Sequence, residues 1–260
     1  MILFLKPMEN SMIIESLKII GPLVFIAGFI DAIAGGGGLI SLPAYVLANI
    51  PMHVALGTNK LASSLGTLVA SLQYGKERLL IVKLIIYSVI FAFFGALLGS
   101  RMTLFFPDRV LKSLMVFVLP LMAFAVLRKK KEVSFVENIN YFKAALVTFI
   151  VGFYDGFLGP GTGSILVFFY VTVCGLNYTQ SSAHAKVVNL TSNVVAAGTF
   201  LYFGKVWVEL ALYAAVFSML GNYLGSKVAI KNGAKVIRPV LIGVFSLLIL
   251  KLAYDLWILS

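Results

Sequence analysis

A chain of 260 residues with 60% hydrophobic and 12% charged side chains, and a mean hydropathy of +1.00, is not a soluble domain, in which about a quarter of residues are charged. Its net charge of +11 does not point to nucleic acid, because the positives gather in short stretches between apolar runs, where they anchor loops against anionic lipid. The groups are Lys76, Arg78 and Lys83, then Arg128 to Lys131, then Lys227, Lys231, Lys235 and Arg238.

In chain order, the opening "MILFLKPMEN" is broken by Lys6 and Pro7 and no A-x-A site follows, so the first apolar run is expected to be a retained span. Apolar runs at 12–34, 54–74, 80–98, 108–127, 141–158, 184–203, 206–224 and 236–257 reach or approach the roughly 20 residues that cross a bilayer. A spanning segment must satisfy its own backbone, and alternating strands are absent, so the predicted fold is an all-α polytopic membrane protein. Cys174 is the single cysteine, which excludes an internal disulfide and a cysteine-built metal cluster. No metal site or cofactor is expected.

The chain is written twice. "GFIDAIAGGGG" at 28–38 matches "GFYDGFLGPGT" at 152–162, "YGK" at 74–76 lies opposite "FGK" at 203–205, and "GALLGSR" at 95–101 matches "GNYLGSK" at 221–227. The offset stays between 124 and 129 residues, which marks an internal repeat. The expected organisation is a first transmembrane repeat at 12–127, a polar linker at 128–140 and a second repeat at 141–257. Each repeat has four to five elements and opens on a glycine-broken helix. Counting 15–34 and 39–49 as one interrupted span gives about eight transmembrane helices and parallel repeats. Counting 39–49 as its own crossing gives about ten and inverted repeats. Both divide the lysines and arginines between the two sides equally well.

Gly35, Gly36, Gly37 and Gly38 stand where a helix should continue, and each glycine costs a helix about 1 kcal/mol relative to alanine. Irregular backbone at membrane depth is tolerated where it is buried in protein or lines a wet cavity. A break exposes amides at the start of the following segment, here around Leu39 to Ser41, and such a helix start attracts anions. Pro43 is compatible with a first turn there. Gly159, Gly161 and Gly163 repeat the break, and Thr162 and Ser164 add hydroxyl donors. Paired breaks of this kind mark binding sites in repeat-built transporters.

Asp31 and Asp155 precede the two breaks at matching positions. A carboxylate inside an apolar span is a functional candidate, because its burial is expensive and its protonation responds to its surroundings. The expected role is coupling or gating; the plain alternative is capping of the broken backbone or pairing to a lysine. Asn59, Ser63 and Thr67 share one helical stripe, as do Lys186, Asn189 and Asn193. Lys60 and Lys186, at equivalent places, either attract an anion or snorkel to the interface. His53 and His184 read as interface residues. Together these groups suit a small oxygen-rich anion.

These same residues resemble the sulfite exporter TauE/SafE family of membrane permeases. "DAIAGGGGLISLP" and "VALGTNKLASSLGT" carry the resemblance in the first half, "GFYDGFLGPGTGS" and "HAKVVNLTSN" in the second. The second half is similar to the YfcA-like subgroup, with "GPGTG" where many members have a plainer glycine run. The resemblance implies a multi-pass inner (plasma) membrane transporter, whose relatives are linked to sulfite, sulfoacetate or other sulfur-containing anions.

The expected function is a secondary transporter of a small anion, bound by Gly35 to Gly38, Asn59, Lys60, Ser63, the Gly159–Ser164 break, Lys186 and Asn189. No G-x-x-x-x-G-K-[ST] loop supplies an ATPase. The expected partners are that anion and lipid, not nucleic acid, and a homo-oligomer is left open. Alternatives are an anion channel, or an intramembrane enzyme built on Ser164 and His184.

Overall fold

The computed structural model describes residues 10–111 and 139–237, with 113–114, 239–240, 242–243 and 246. The expected spans 108–127 and 236–257, most of the linker, and the basic residues Arg128 to Lys131 and Arg238 lie largely outside them. Among the described residues the chain forms eight long helices: α1 Asn10–Ala34, α2 Gly38–Leu47, α3 Met52–Lys76, α4 Val82–Thr103, α5 Tyr141–Phe157, α6 Thr162–Thr172, α7 Tyr178–Tyr202 and α8 Val208–Asn232. Among the described residues there is no strand. The chain is an all-α polytopic membrane protein, as its composition requires. Leu17–Ala34, Val82–Thr103 and Val208–Asn232 are long and apolar enough to cross a bilayer by themselves. The α3 and α7 helices are equally long but carry the polar stripes.

The sequence repeat is visible in space. Helices α1 to α4 correspond to α5 to α8, and the main interfaces run between the halves rather than within them: α1 on α8, α4 on α5, and α3 on α7 and α8. Glycines set the first two. An added Cβ would come within 2.2 Å of Phe149 O at Gly95 and 2.0 Å of Phe153 O at Gly99. In α8 the matching Gly221 and Gly225 approach Phe25 O and Phe29 O to 2.2 and 2.3 Å in the same sense. Both are small-xxx-small pairs, which let membrane helices meet backbone to backbone. The first helix of each half therefore packs on the last described helix of the other.

A second crossed pair fixes α4 and α8 at their starts. The Ile81 amide, at the N-cap of α4, donates to His184 Nε2 at 3.0 Å; the Trp207 amide, at the N-cap of α8, donates to Thr58 Oγ1 at 3.0 Å. Each satisfies an orphan helix-start donor from the opposite half. His184 is thus a buried packing residue, 0% exposed, and not an interface residue as its sequence position suggested. His53 is half-buried against Asp108.

The glycine run does not interrupt a straight span. Gly35 adopts φ +79° and its repeat partner Gly159 φ +89°, a left-handed conformation open to glycine. The chain then doubles back. A Cβ on Gly37 would sit 2.6 Å from both Ala27 O and Asp31 Cβ, and Tyr45 of α2 shares an apolar cluster with Ile20 and Val24 of α1. The expected glycine-broken helix is therefore a hairpin in which α2 returns along α1. In the second half, Tyr154 Oη donates to Pro160 O at 2.6 Å and holds the corresponding turn. Pro43 falls in the interior of α2 rather than in its first turn, so the α2 ladder lacks one donor there.

Candidate functional site

The two glycine turns meet each other at the centre of the molecule. A Cβ on Gly35 would lie 2.2 Å from Gly163 C, and one on Gly163 would lie 2.4 Å from Gly35 Cα. Ser164 N donates to Gly35 O at 3.2 Å, tying the turns together. Three further donors end α1. Tyr74 Oη, Ser182 Oγ and Ser164 Oγ donate to the carbonyls of Ala32, Ile33 and Ala34 at 3.0, 3.0 and 2.6 Å. Helix ends leave such carbonyls without intrahelical partners, and here α3, α6 and α7 supply them.

This changes what the breaks do. The amides of Leu39, Ile40 and Ser41 were expected to face a ligand, but they donate to Gly36 O and Gly37 O at 2.9 to 3.1 Å. Thr162 Oγ1 donates to Gly159 O at 2.7 Å, and Ser164 Oγ is taken by Ala34 O. Both hydroxyls therefore build the turns. A Ser164–His184 dyad is not formed either: His184 Nδ1 sits against Gln180 O at 2.8 Å while its other nitrogen holds Ile81 N.

Beside the turns lies a small polar cavity of about 30 Å³, room for about two waters. Asp31, Gly35, Gly37, Gly38, Asn59, Lys60, Ser63, Asp155, Gly159, Gly163 and Asn189 line it. Gly36, Gly161, Thr162, Ser164 and Lys186 stand behind the lining. Sequence reasoning did not assign Ser41, Ser218 and Asn222, which also line the cavity. The signal for the last two was available, since they are an i, i+4 polar pair inside the apolar α8.

Two ion pairs dominate the electrostatics, and both cross between the halves. Lys60 Nζ lies 2.8 Å from Asp155 Oδ1, and Lys186 Nζ lies 2.6 Å from Asp31 Oδ2. Lys60 and Lys186 are 3% and 0% exposed, so neither snorkels. The pairs are chemically unequal. Asp155 also accepts from Ser192 Oγ and from Asn189 Nδ2 at 3.5 Å, and Lys60 also donates to Asn193 Oδ1 at 2.9 Å. Among the described residues, Asp31 has a long 3.4 Å contact from the Gly37 amide besides its lysine. Buried charges of this kind are stable only when paired and hydrogen-bonded. Two cations and two anions leave the site neutral, with each lysine held by a counter-ion from the other half.

The family model for the sulfite exporter TauE/SafE matches residues 20–252. A Sinorhizobium protein named "Probable membrane transporter protein ORF9" is 38% identical over 89% of this chain and 90% of its own length. A "Probable membrane transporter protein" of Haemophilus influenzae is 36% identical over 93% and 96%. The Escherichia coli protein named "Probable membrane transporter protein YfcA" is 33% identical over 95% and 94%. No solved structure matches significantly. With a match across nearly its whole length, an all-helical membrane fold and relatives named as transporters, the chain belongs to the TauE/SafE family of membrane transporters.

Proposed function

We propose that this transporter is a secondary carrier of a small oxygen-rich anion, a sulfur oxyanion or organosulfonate such as sulfite or sulfoacetate, in the inner (plasma) membrane as a multi-pass protein. The observation that carries the reading is the pair of buried lysines, each neutralised by a carboxylate from the opposite half at the edge of one cavity. An anion entering that cavity takes a carboxylate's place on a lysine and keeps a charge-assisted hydrogen bond in a dry setting, where such bonds are strongest. A hydrophobic solute gains nothing there. The cavity's small volume and its two closed ion pairs favour a carrier, which must rearrange on each cycle, over a standing anion channel. In this reading Asp31 and Asp155 serve coupling or gating, and Asn59, Ser63 and Asn189 contact the anion.

Proteoliposomes loaded with labelled sulfite, thiosulfate or sulfoacetate, with glycerol as neutral control, test it. Saturable flux and counterflow of one anion, with glycerol excluded, is the expected result. Equal permeation of all four, or unitary conductance, would sink the carrier reading.

A further inference from the structure

The two aspartates occupy matching positions in the repeat, yet their surroundings assign them different work. Asp155 is 1% exposed and takes three donors, Lys60 Nζ, Ser192 Oγ and Asn189 Nδ2. Its lysine is bonded twice, to Asp155 and to Asn193 Oδ1. This half of the site is a fixed tie between α3, α5 and α7. Asp31 differs in each respect. Its side chain keeps 16% exposure on the cavity side, while Lys186 is 0% exposed. Apart from Lys186, its donor among the described residues is the Gly37 amide at 3.4 Å, too long for a good hydrogen bond. Lys186 Nζ donates to Asp31 Oδ2 at 2.6 Å.

Resting on the proposed anion transport, we infer that, of the two aspartates, Asp31 carries a coupling proton, and that its protonation frees Lys186 for the substrate. The proton adds to the Asp31 carboxylate. The ion pair becomes a neutral carboxyl beside an unpaired ammonium, which then takes an oxygen of the entering anion. No electrons move, and the cavity stays neutral when the entering anion carries a single negative charge. The other groups facing the two carboxylates do not take this role. Tyr74 of α3 is near Asp31 but spends its hydroxyl on Ala32 O. Tyr154 beside Asp155 spends its own on Pro160 O. Lys186 of α7 is a further charge near Asp155. From α8, Ser218 and Asn222 face the cavity and neither titrates.

Infrared titration of the purified full chain, with no substrate added, reads the proton directly. The carbonyl stretch of a protonated carboxyl should grow on acidification in wild type, lose a component in Asp31→Asn, and keep that component in Asp155→Asn. Asp31→Glu, which retains a carboxyl one methylene further out, should shift that component rather than remove it, and it serves if either amide variant fails to fold. A component lost in Asp155→Asn and kept in Asp31→Asn would overturn the assignment, as would a component unmoved by Asp31→Glu. Because no anion is present, such a failure is distinct from a failure of anion flux.

Discussion

Replacing Gly35 with valine is expected to abolish the folded protein. Two independent penalties meet at this position. The backbone is left-handed at φ +79°, where a β-branched residue is strained by about 1–3 kcal/mol. The new Cβ would also fall 2.2 Å from the Gly163 carbonyl carbon and 2.5 Å from Ser164 N. Both are backbone atoms of a turn held by its own hydrogen bonds, so relief requires the two turns to part. Separation would break the Ser164 bonds to Ala34 O and Gly35 O, leaving helix-end carbonyls unsatisfied where no water replaces them. The combined loss exceeds about 4 kcal/mol, the range of the most damaging single substitutions. Size-exclusion profiles and thermal unfolding in detergent check it. Gly163→Ala should fail similarly, since its Cβ would lie 2.4 Å from Gly35 Cα, whereas Gly198→Ala meets nothing within 4 Å and should be neutral or slightly stabilising. A Gly35→Val protein that unfolds like wild type would refute the crossing of the turns.

Lys60→Met is expected to destabilise by about 3–5 kcal/mol, because it strands the Asp155 carboxylate in a buried site. A surface or snorkelling lysine would cost within about 0.5 kcal/mol, so the size of the effect separates the two placements. Adding Asp155→Leu should then recover most of the loss, since replacing a whole buried ion pair with apolar residues is often near neutral. Full recovery is not expected, because Asn193 Oδ1 would still miss the Lys60 donor. The recovered double variant should remain unable to carry an anion. Thermal denaturation of the two single variants and the double variant gives the coupling directly. Additive losses would mean that Lys60 and Asp155 do not form the pair.

Much of this was legible in the residues. The composition requires a helical membrane protein, and the repeated "GFxD" and glycine segments locate the centre of the molecule before any coordinate is known. Asp31, Asp155, Lys60, Asn59, Ser63 and Asn189 were all picked out by their polarity inside apolar runs, and they do gather round one cavity. Partner choice was not legible. Lys60 has an aspartate in its own half and another across the repeat, and spacing does not say which it meets; the packing of α1 on α8 and α4 on α5 decides it. The direction of the chain after Gly35 was equally hidden, because glycine permits both a break and a turn. Hence the amides of Leu39 to Ser41 looked free when nearby carbonyls hold them. His184 was misread for a different reason. It stands in the same register to Thr58 as Lys186 does to Lys60, but a histidine and a threonine do not look alike. Their shared task of accepting an amide at a helix start appears only in space.

Counterflow of labelled sulfite in proteoliposomes, wild type beside Lys186→Gln, tests most directly whether a buried lysine exchanges its carboxylate for substrate. Loss of a charged hydrogen bond is worth about 1.5–3 kcal/mol, so the exchange predicts saturable counterflow in wild type and a half-saturating sulfite concentration raised about tenfold or more in the variant. Counterflow in Lys186→Gln with the wild-type half-saturation and rate would contradict it.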